Sequence, residues 1–298
     1  MKIGFVGLGL MGLPMAKRIL NSHDLYIFSK NEKSKNILVE EGAKLVSSIN
    51  ELFTSVDILC SCRLTDSHSK EIFLKNRNLK YNNKLKTCID FSTISPNTAK
   101  MIAFHLKKYS IDFIDAPISG GPLKAQKGNL TIMAGGEEIA IKKAKKIFSI
   151  LGKKFFHVGD VGSGVTAKLC NNLISISTHA LICESVILAL KSGIEIEKIF
   201  EILKNSSASS KSLSRIFSDH FLINNFKANA TIETIIKDLD VTIKHARTEG
   251  IKLPITSNSK KYFLEAKKNG FGNYDISSLI LHMQQEMGFK FFHNRIED

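Results

Sequence analysis

Short apolar runs alternate with longer helix-period segments through the first half of the chain. Ile3–Val6, Leu25–Phe28, Ile58–Cys62, Thr87–Asp90, Phe113–Ala116 and Leu130–Met133 have the length and residue types of strands. Pro14–Asn21 and Ser95–Lys108 read as helices between the earlier runs, and Lys142–Lys146 lies on an amphipathic pattern with Ile141, Ile147 and Phe148. Such alternation predicts a mostly parallel sheet with helices on its faces. The pattern changes past Gly159. Val165 to Leu190 is a proline-free helical stretch, entered at Gly162-Ser163-Gly164 and left at Gly193. Apart from a polar stripe it is apolar nearly all round, at Leu169, Leu173, Ile176, Leu181, Ile187 and Leu188, so burial is expected. Glu195–Leu203, Ser212–Phe217, Thr231–Thr248 and Ser257–Asn269 continue as helices. The expectation is an α/β domain over residues 1–161 followed by an all-α domain over 162–298.

The length of 298 residues agrees with two domains, and 43% hydrophobic with 23% charged residues is ordinary for a globular chain. Glycines break the first apolar run too soon for a signal segment, and no stretch reaches the roughly 18 consecutive apolar residues of a membrane span. No membrane partner is expected. Five scattered cysteines make no disulfide framework and point to the cytoplasm. Cys60 and Cys62 would share one face of a strand, but no second pair or nearby histidine completes a zinc site, so no metal is expected. The formal charge of +14 admits nucleic-acid binding. Yet the lysines are dispersed, no basic run alternates with aromatics, and no nucleic-acid motif is present. The same field would equally draw in an anionic cofactor and substrate.

Candidate chemistry begins at Gly7-Leu8-Gly9-Leu10-Met11-Gly12. A G-x-G-x-x-G that follows a strand and opens a helix is a dinucleotide fingerprint: Gly7 for the turn, Gly9 for pyrophosphate approach, Gly12 for close helix packing. The next strand ends Phe28-Ser29-Lys30-Asn31 with no acid before Glu32. An acid there would accept from the ribose 2′-hydroxyl of NAD, whereas Lys30 can pair with the 2′-phosphate of NADP, with Ser29 or Asn31 donating. Lys30 as one more solvated lysine stays open. Asp90-Phe91-Ser92-Thr93-Ile94-Ser95-Pro96 and Asp115-Ala116-Pro117-Ile118-Ser119-Gly120-Gly121-Pro122 each follow a strand, at the edge where ligands bind. Ser119-Gly120-Gly121 offers N–H groups beside a hydroxyl, suited to a carboxylate; each segment also reads as a structural turn. On the long helix, Lys168 and Asn172 share one face, and Ser175 and His179 continue the polar stripe. A partly desolvated lysine near a helix N-terminus has its ammonium disfavoured, as a general acid or base requires. The other reading is a lysine snorkelling to solvent.

Together these motifs resemble the β-hydroxyacid dehydrogenase family, which includes 3-hydroxyisobutyrate dehydrogenase and tartronate semialdehyde reductase. The ordered set runs from Gly7–Gly12 with Met15-Ala16, through Asp90–Pro96, Asp115–Gly121, Gly128-x-Leu130 and Gly135-Gly136. It continues with Gly162-x-Gly164-x-x-x-Lys168-x-x-Asn171-Asn172, Lys237-Asp238-Leu239 and Tyr274-Asp275-Ile276-Ser277. The resemblance implies a Rossmann-type doubly wound domain, then an all-α domain built on a long interdomain helix, assembled as a homodimer or homotetramer. It implies NADP or NAD as cofactor and hydride transfer between a small anionic β-hydroxy acid and its semialdehyde. Lys168 would be the catalytic lysine and Asn172 its orienting partner. Ser119, Gly120 and Gly121 would bind the substrate carboxylate, and Thr93 and Lys237 would face the cofactor. This chain departs from the family at Arg63-Leu64, where Leu-Pro is common, and at Lys124 and Asn129, where Gly and Thr are. The alternatives are a catalytically silent NADP-binding sensor and a nucleic-acid-binding protein using the basic surface.

Overall fold

The structure, a computed structural model, describes residues 1–76, 79–82 and 84–293; residues 294–298 of the expected second domain lie outside it. Contacts divide the chain into two units, Met1–Lys168 and Leu169–Asp298.

The first unit is one nine-stranded sheet with helices. Its strands are β1 (Lys2–Val6), β2 (Asp24–Phe28), β3 (Lys44–Leu45), β4 (Ile58–Ser61), β5 (Thr87–Asp90), β6 (Asp112–Asp115), β7 (Ile118–Ser119), β8 (Leu130–Gly135) and β9 (Gly152–Gly159). Among them lie α1 (Gly12–Leu20), α2 (Glu32–Glu40), α3 (Ile49–Ser55), α4 (Asp66–Leu74), α5 (Pro96–Lys107), α6 (Pro122–Gln126) and α7 (Glu138–Leu151). The parallel part runs in the order β3-β2-β1-β4-β5-β6, the doubly wound arrangement of dinucleotide-binding sheets. β8 is antiparallel to β6 and β7 and parallel to β9.

β4 and β5 are buried along their whole length, as strands covered on both faces must be. Alternation sends Ile58 and Cys60 into one layer with Phe5, Met15 and Phe148, and Leu59 into the other with Phe53, Ile102 and Phe113. Three strands escaped the sequence pattern. β3 and β7 have two residues each, and β9 is mostly exposed, with Phe156 at 53% and Val158 at 43%, so burial leaves no alternation to read.

Asp115, at the end of β6, reaches across the sheet to the start of α8 (Ser163–Lys191). Its carboxylate accepts the backbone N–H of Gly162 at 2.7 Å and of Val165 at 2.7 Å. The helix start is pressed against the sheet: a Cβ on Gly164 would lie 2.5 Å from the Met133 carbonyl oxygen and 2.6 Å from that of Asp115.

Two expectations about α8 are corrected. It is not buried all round: Ile174 is 66% exposed, Leu181 60% and Leu188 70%. Hydropathy records that a face is apolar, not what covers it, and this seven-residue spacing forms one stripe. The helix is also long and apolar enough to cross a membrane, with a mean hydropathy of 1.9 over its most apolar window. Counting uninterrupted apolar residues missed this, because scattered Ser, Thr, Asn and His lower an average only slightly. Ile176, Cys183, Val186 and Ile187 nevertheless pack into a protein core, as in an ordinary core helix.

The second unit is helical: the rest of α8, then α9 (Ile196–Lys204), α10 (Lys211–Ile216), α11 (Ile232–Thr248), α12 (Pro254–Ala266) and α13 (Leu279–Glu286). α12 starts three residues before the expected Ser257, because Pro254 occupies a first-turn position where its missing N–H costs nothing. A single π-turn, Phe217–Phe221, extends α10, whereas the chain leaves α12 by a kink at Asn269 and Gly270, where Gly270 has φ +90°. Asp275 of the Tyr274–Ser277 motif is buried, accepts from the N–H groups of Asn229, Ala230 and Ser277, and lies 3.2 Å from His220 Nε2. That motif therefore ties two loops together.

Burial pushes the Asp115 carboxyl up to about 7, outweighing its two N–H donors. The folded chain then holds a proton that the unfolded chain releases near pH 4, so this group's contribution to stability should fall as pH rises from about 4 to 7 and level off above. Asp115→Asn should remove that slope and, by facing an amide N–H to a backbone donor, cost about 1–3 kcal/mol. Denaturant midpoints of both proteins from pH 4.5 to 8 test this; a difference between them that is constant with pH counts against it.

Candidate active site

The glycine turn joins β1 to α1. Gly7 has φ +98°, a region open chiefly to glycine, and a Cβ there would lie 2.2 Å from the Cys62 carbonyl oxygen. A Cβ on Gly12 would lie 1.8 Å from the Gly7 carbonyl oxygen, so helix and strand are as close as their backbones allow. A Cβ on Gly9 would meet nothing within 4 Å. Leu8 is buried, Leu10 is 67% exposed, and no side chain caps α1 at Met11. An uncapped helix start beside an open glycine fits a pyrophosphate, which would sit at the positive end of the helix dipole.

At the end of β2, Ser29 is half-buried and Lys30 exposed. Ser29 Oγ accepts from the Asn31 N–H at 3.1 Å, and Asn31 Oδ1 caps α2 by accepting from Ser34 N–H. Asn31 is thus partly committed to its helix. Glu32, the first acid after the strand, pairs with Lys35 at 2.5 Å.

The segment after β5 is held by acids on two elements. Buried Asp90 accepts from the N–H and Oγ of Ser92. Asp66, in the first turn of α4, accepts from Ser95 N–H, Ser95 Oγ and Thr98 Oγ1 at 2.5–2.9 Å. These bonds hold the Asp66 carboxyl below the usual range despite its partial burial, which pushes it the other way. Half-buried Thr93 sits between these two anchors. After β6, Ser119 lies in β7, and Gly120 and Gly121 have φ +149° and +76° before Pro122 opens α6. Lys124 Cβ lies 3.0 Å from where a Cβ on Gly120 would stand, and the Lys124 carbonyl accepts from Asn129 N–H at 2.8 Å. The two departures near this loop therefore brace it.

Lys168 is half-buried in the second turn of α8, and Asn172, one turn on, is 7% exposed. Asn172 Nδ2 donates to Asp238 Oδ2 at 2.8 Å, and Lys237 Nζ lies 2.5 Å from Asp238 Oδ1. Asp238 thus joins two residues singled out by sequence, and its own role was missed. The signal was present: an acid at 238 falls on the face of α11 that buries Ile235, Leu239 and Thr242. A buried carboxylate needs such partners. Further along the stripe, His179 Nδ1 donates to the Ser175 carbonyl at 2.7 Å, and burial lowers its pKa.

Residues 2–159 match the family model described as the NAD binding domain of 6-phosphogluconate dehydrogenase. Residues 162–283 match that described as NAD-binding of NADP-dependent 3-hydroxyisobutyrate dehydrogenase. The chain is 30% identical to 2-hydroxy-3-oxopropionate reductase of Escherichia coli over 94% of its length and 96% of the relative's. It is 29% identical to 2-(hydroxymethyl)glutarate dehydrogenase of Eubacterium barkeri over 96% of each. The fold superposes on a Mycobacterium tuberculosis 3-hydroxyisobutyrate dehydrogenase solved with L-serine, with TM-score 0.87 and 23% identity, covering 95% of this chain and 99% of the other.

The glycine geometry separates ligand from scaffold. Gly9→Val should leave the melting temperature unchanged while weakening NADPH and NADH binding at least about tenfold, because a side chain there meets only the approaching phosphates. Gly12→Val should cost about 3 kcal/mol or more by forcing helix from strand. Thermal melts with fluorescence titrations check both; the opposite pattern would show that Gly9 is structural.

Proposed function

Because the chain belongs to the β-hydroxyacid dehydrogenase family, whose named members oxidise or reduce a hydroxy-acid CH–OH group, we propose that it interconverts a small anionic β-hydroxy acid and its semialdehyde with Lys168 as general acid/base. The chain is an NAD(P)-dependent oxidoreductase, and the observation that carries the finer reading is the pair Lys168 and Asn172 on one face of α8, with Asn172 fixed by buried Asp238. When bound, the nicotinamide ring supplies or accepts hydride at the carbonyl carbon. Lys168 exchanges the proton with the substrate oxygen through Nζ. Asp238 takes the Asn172 amide N–H, which leaves the amide oxygen only a 3.4 Å contact from Asn171 and orients it for the substrate hydroxyl. The N–H groups and hydroxyl of Ser119-Gly120-Gly121 receive the carboxylate. Gly7 to Gly12, through Leu8, Leu10 and Met11 backbone, receive the pyrophosphate; Ser29, Lys30, Thr93 and Lys237 complete the cofactor contacts. NADP is the preferred cofactor, from Lys30 and from the pairing of Glu32 with Lys35.

The exposed stripe Ile174, Leu181 and Leu188 supports a homodimer or homotetramer, covered by a second copy. All five cysteines are free, which supports a reducing cytoplasm.

Lys168→Ala should lower kcat about 10²–10⁴-fold with NADPH affinity within about twofold, and should remove the limb of the pH–rate profile that reports this group. Absorbance assays with C3–C4 semialdehydes read the first and ligand fluorescence the second. Normal turnover in the variant would remove Lys168 from the chemistry. Leu181→Glu combined with Leu188→Glu should leave the chain folded and reduce its mass by light scattering to that of one protomer. An unchanged mass would mean that another surface holds the copies.

A further inference from the structure

A small cavity opens at the carboxyl ends of β1, β2 and β4, lined in part by Phe28, Ser29, Lys30, Arg63, His68 and Glu71. In open parallel sheets this edge is where ligands bind. Arg63 is held there from two sides. Its backbone N–H donates to Ser92 Oγ at 2.8 Å, and Ser92 is itself bonded to buried Asp90. Its side-chain stem lies against the glycine turn: a Cβ on Gly7 would come within 2.8 Å of Arg63 Cδ.

Some exposed cations of this unit find acids, as Lys17 does with Glu41 and Lys107 with Glu137. Among the described residues, neither the Arg63 guanidinium nor the Lys30 ammonium makes a hydrogen bond or an ion pair. The cavity's one carboxylate, Glu71, is outnumbered by these two cations, and Glu32 nearby in sequence is occupied by Lys35. His68 is tied by Nδ1 to Thr65 Oγ1 at 2.9 Å. Two unpaired cations around one concavity, one a planar fork matched to phosphate oxygens, make an anion receptor.

We propose that Arg63, with Lys30, binds the 2′-phosphate of NADP, so that cofactor choice is set from the segment after β4 as well as from the end of β2. This rests on the dinucleotide reading of the glycine turn and assigns it a selecting residue at a position where the family commonly has leucine. The competing use of Arg63, stacking on the adenine ring, would serve NAD and NADP alike.

The test measures binding of NADPH, NADH, adenosine 2′,5′-bisphosphate and 5′-AMP to the wild type, Arg63→Leu, Arg63→Lys and Glu71→Gln. Arg63→Leu should weaken NADPH and the bisphosphate about 10–100-fold and leave NADH and AMP within about twofold. Arg63→Lys should recover part of the loss. Glu71→Gln, which leaves the arginine untouched, should tighten NADPH alone. An equal loss for both dinucleotides, or no loss, overturns the assignment while the dinucleotide reading stands. A wild type that binds neither dinucleotide overturns both.

Discussion

Asp115 joins the end of a central strand to the first turn of the long helix, and the proposed chemistry hangs from that joint. A carboxylate accepting two backbone N–H groups at 2.7 Å fixes both where α8 begins and how it is rotated. Lys168 follows Val165 by three residues, so its placement on the helix face inherits that rotation. The close approach at Gly164 leaves no slack for a different start. A buried acid held above its usual range is a costly way to cap a helix. Here the same carboxylate also terminates β6, so one group defines two elements.

The same economy recurs within each unit. Asp66 anchors the turn before α5, Asp90 holds Ser92 and through it Arg63, and Asp238 holds Asn172 beside Lys237. None of these acids has to touch a ligand for its loss to be felt. Each removes freedom from a neighbouring side chain or turn, which is how a loop-built site of the kind proposed would reach working precision. The basic surplus of the chain is spread over paired and unpaired lysines alike; it gathers around a concavity at the end of β2, and around another where Lys244, Arg247, Lys260 and Lys261 of α11 and α12 meet.

The parallel sheet was legible because buried strands leave continuous apolar runs, and the glycine turn because its three glycines answer three separate steric demands. β9 was not, since an exposed strand has no burial to imprint a period. The bonds from Asp115 to Gly162 and from Asn172 to Asp238 span 47 and 66 residues, and spacing rules reach only a turn or two. Lys168 and Asn172 could be paired from sequence because a helix brings residues four apart together. Arg63 and Lys30 could not, because the strands between them decide whether they meet.

The stripe formed by Ile174, Leu181 and Leu188 repeats every seven residues, while a straight helix completes two turns in slightly more than seven. Each repeat therefore drifts about 20° around the axis, and the apolar line winds slowly rather than running straight. A helix that follows it over 14 residues must lie at a shallow tilt, near the roughly 20° crossing of left-handed coiled pairs, and not across it. The geometry of any such partner is thus written into α8 itself: side-by-side, gently supercoiled, and long.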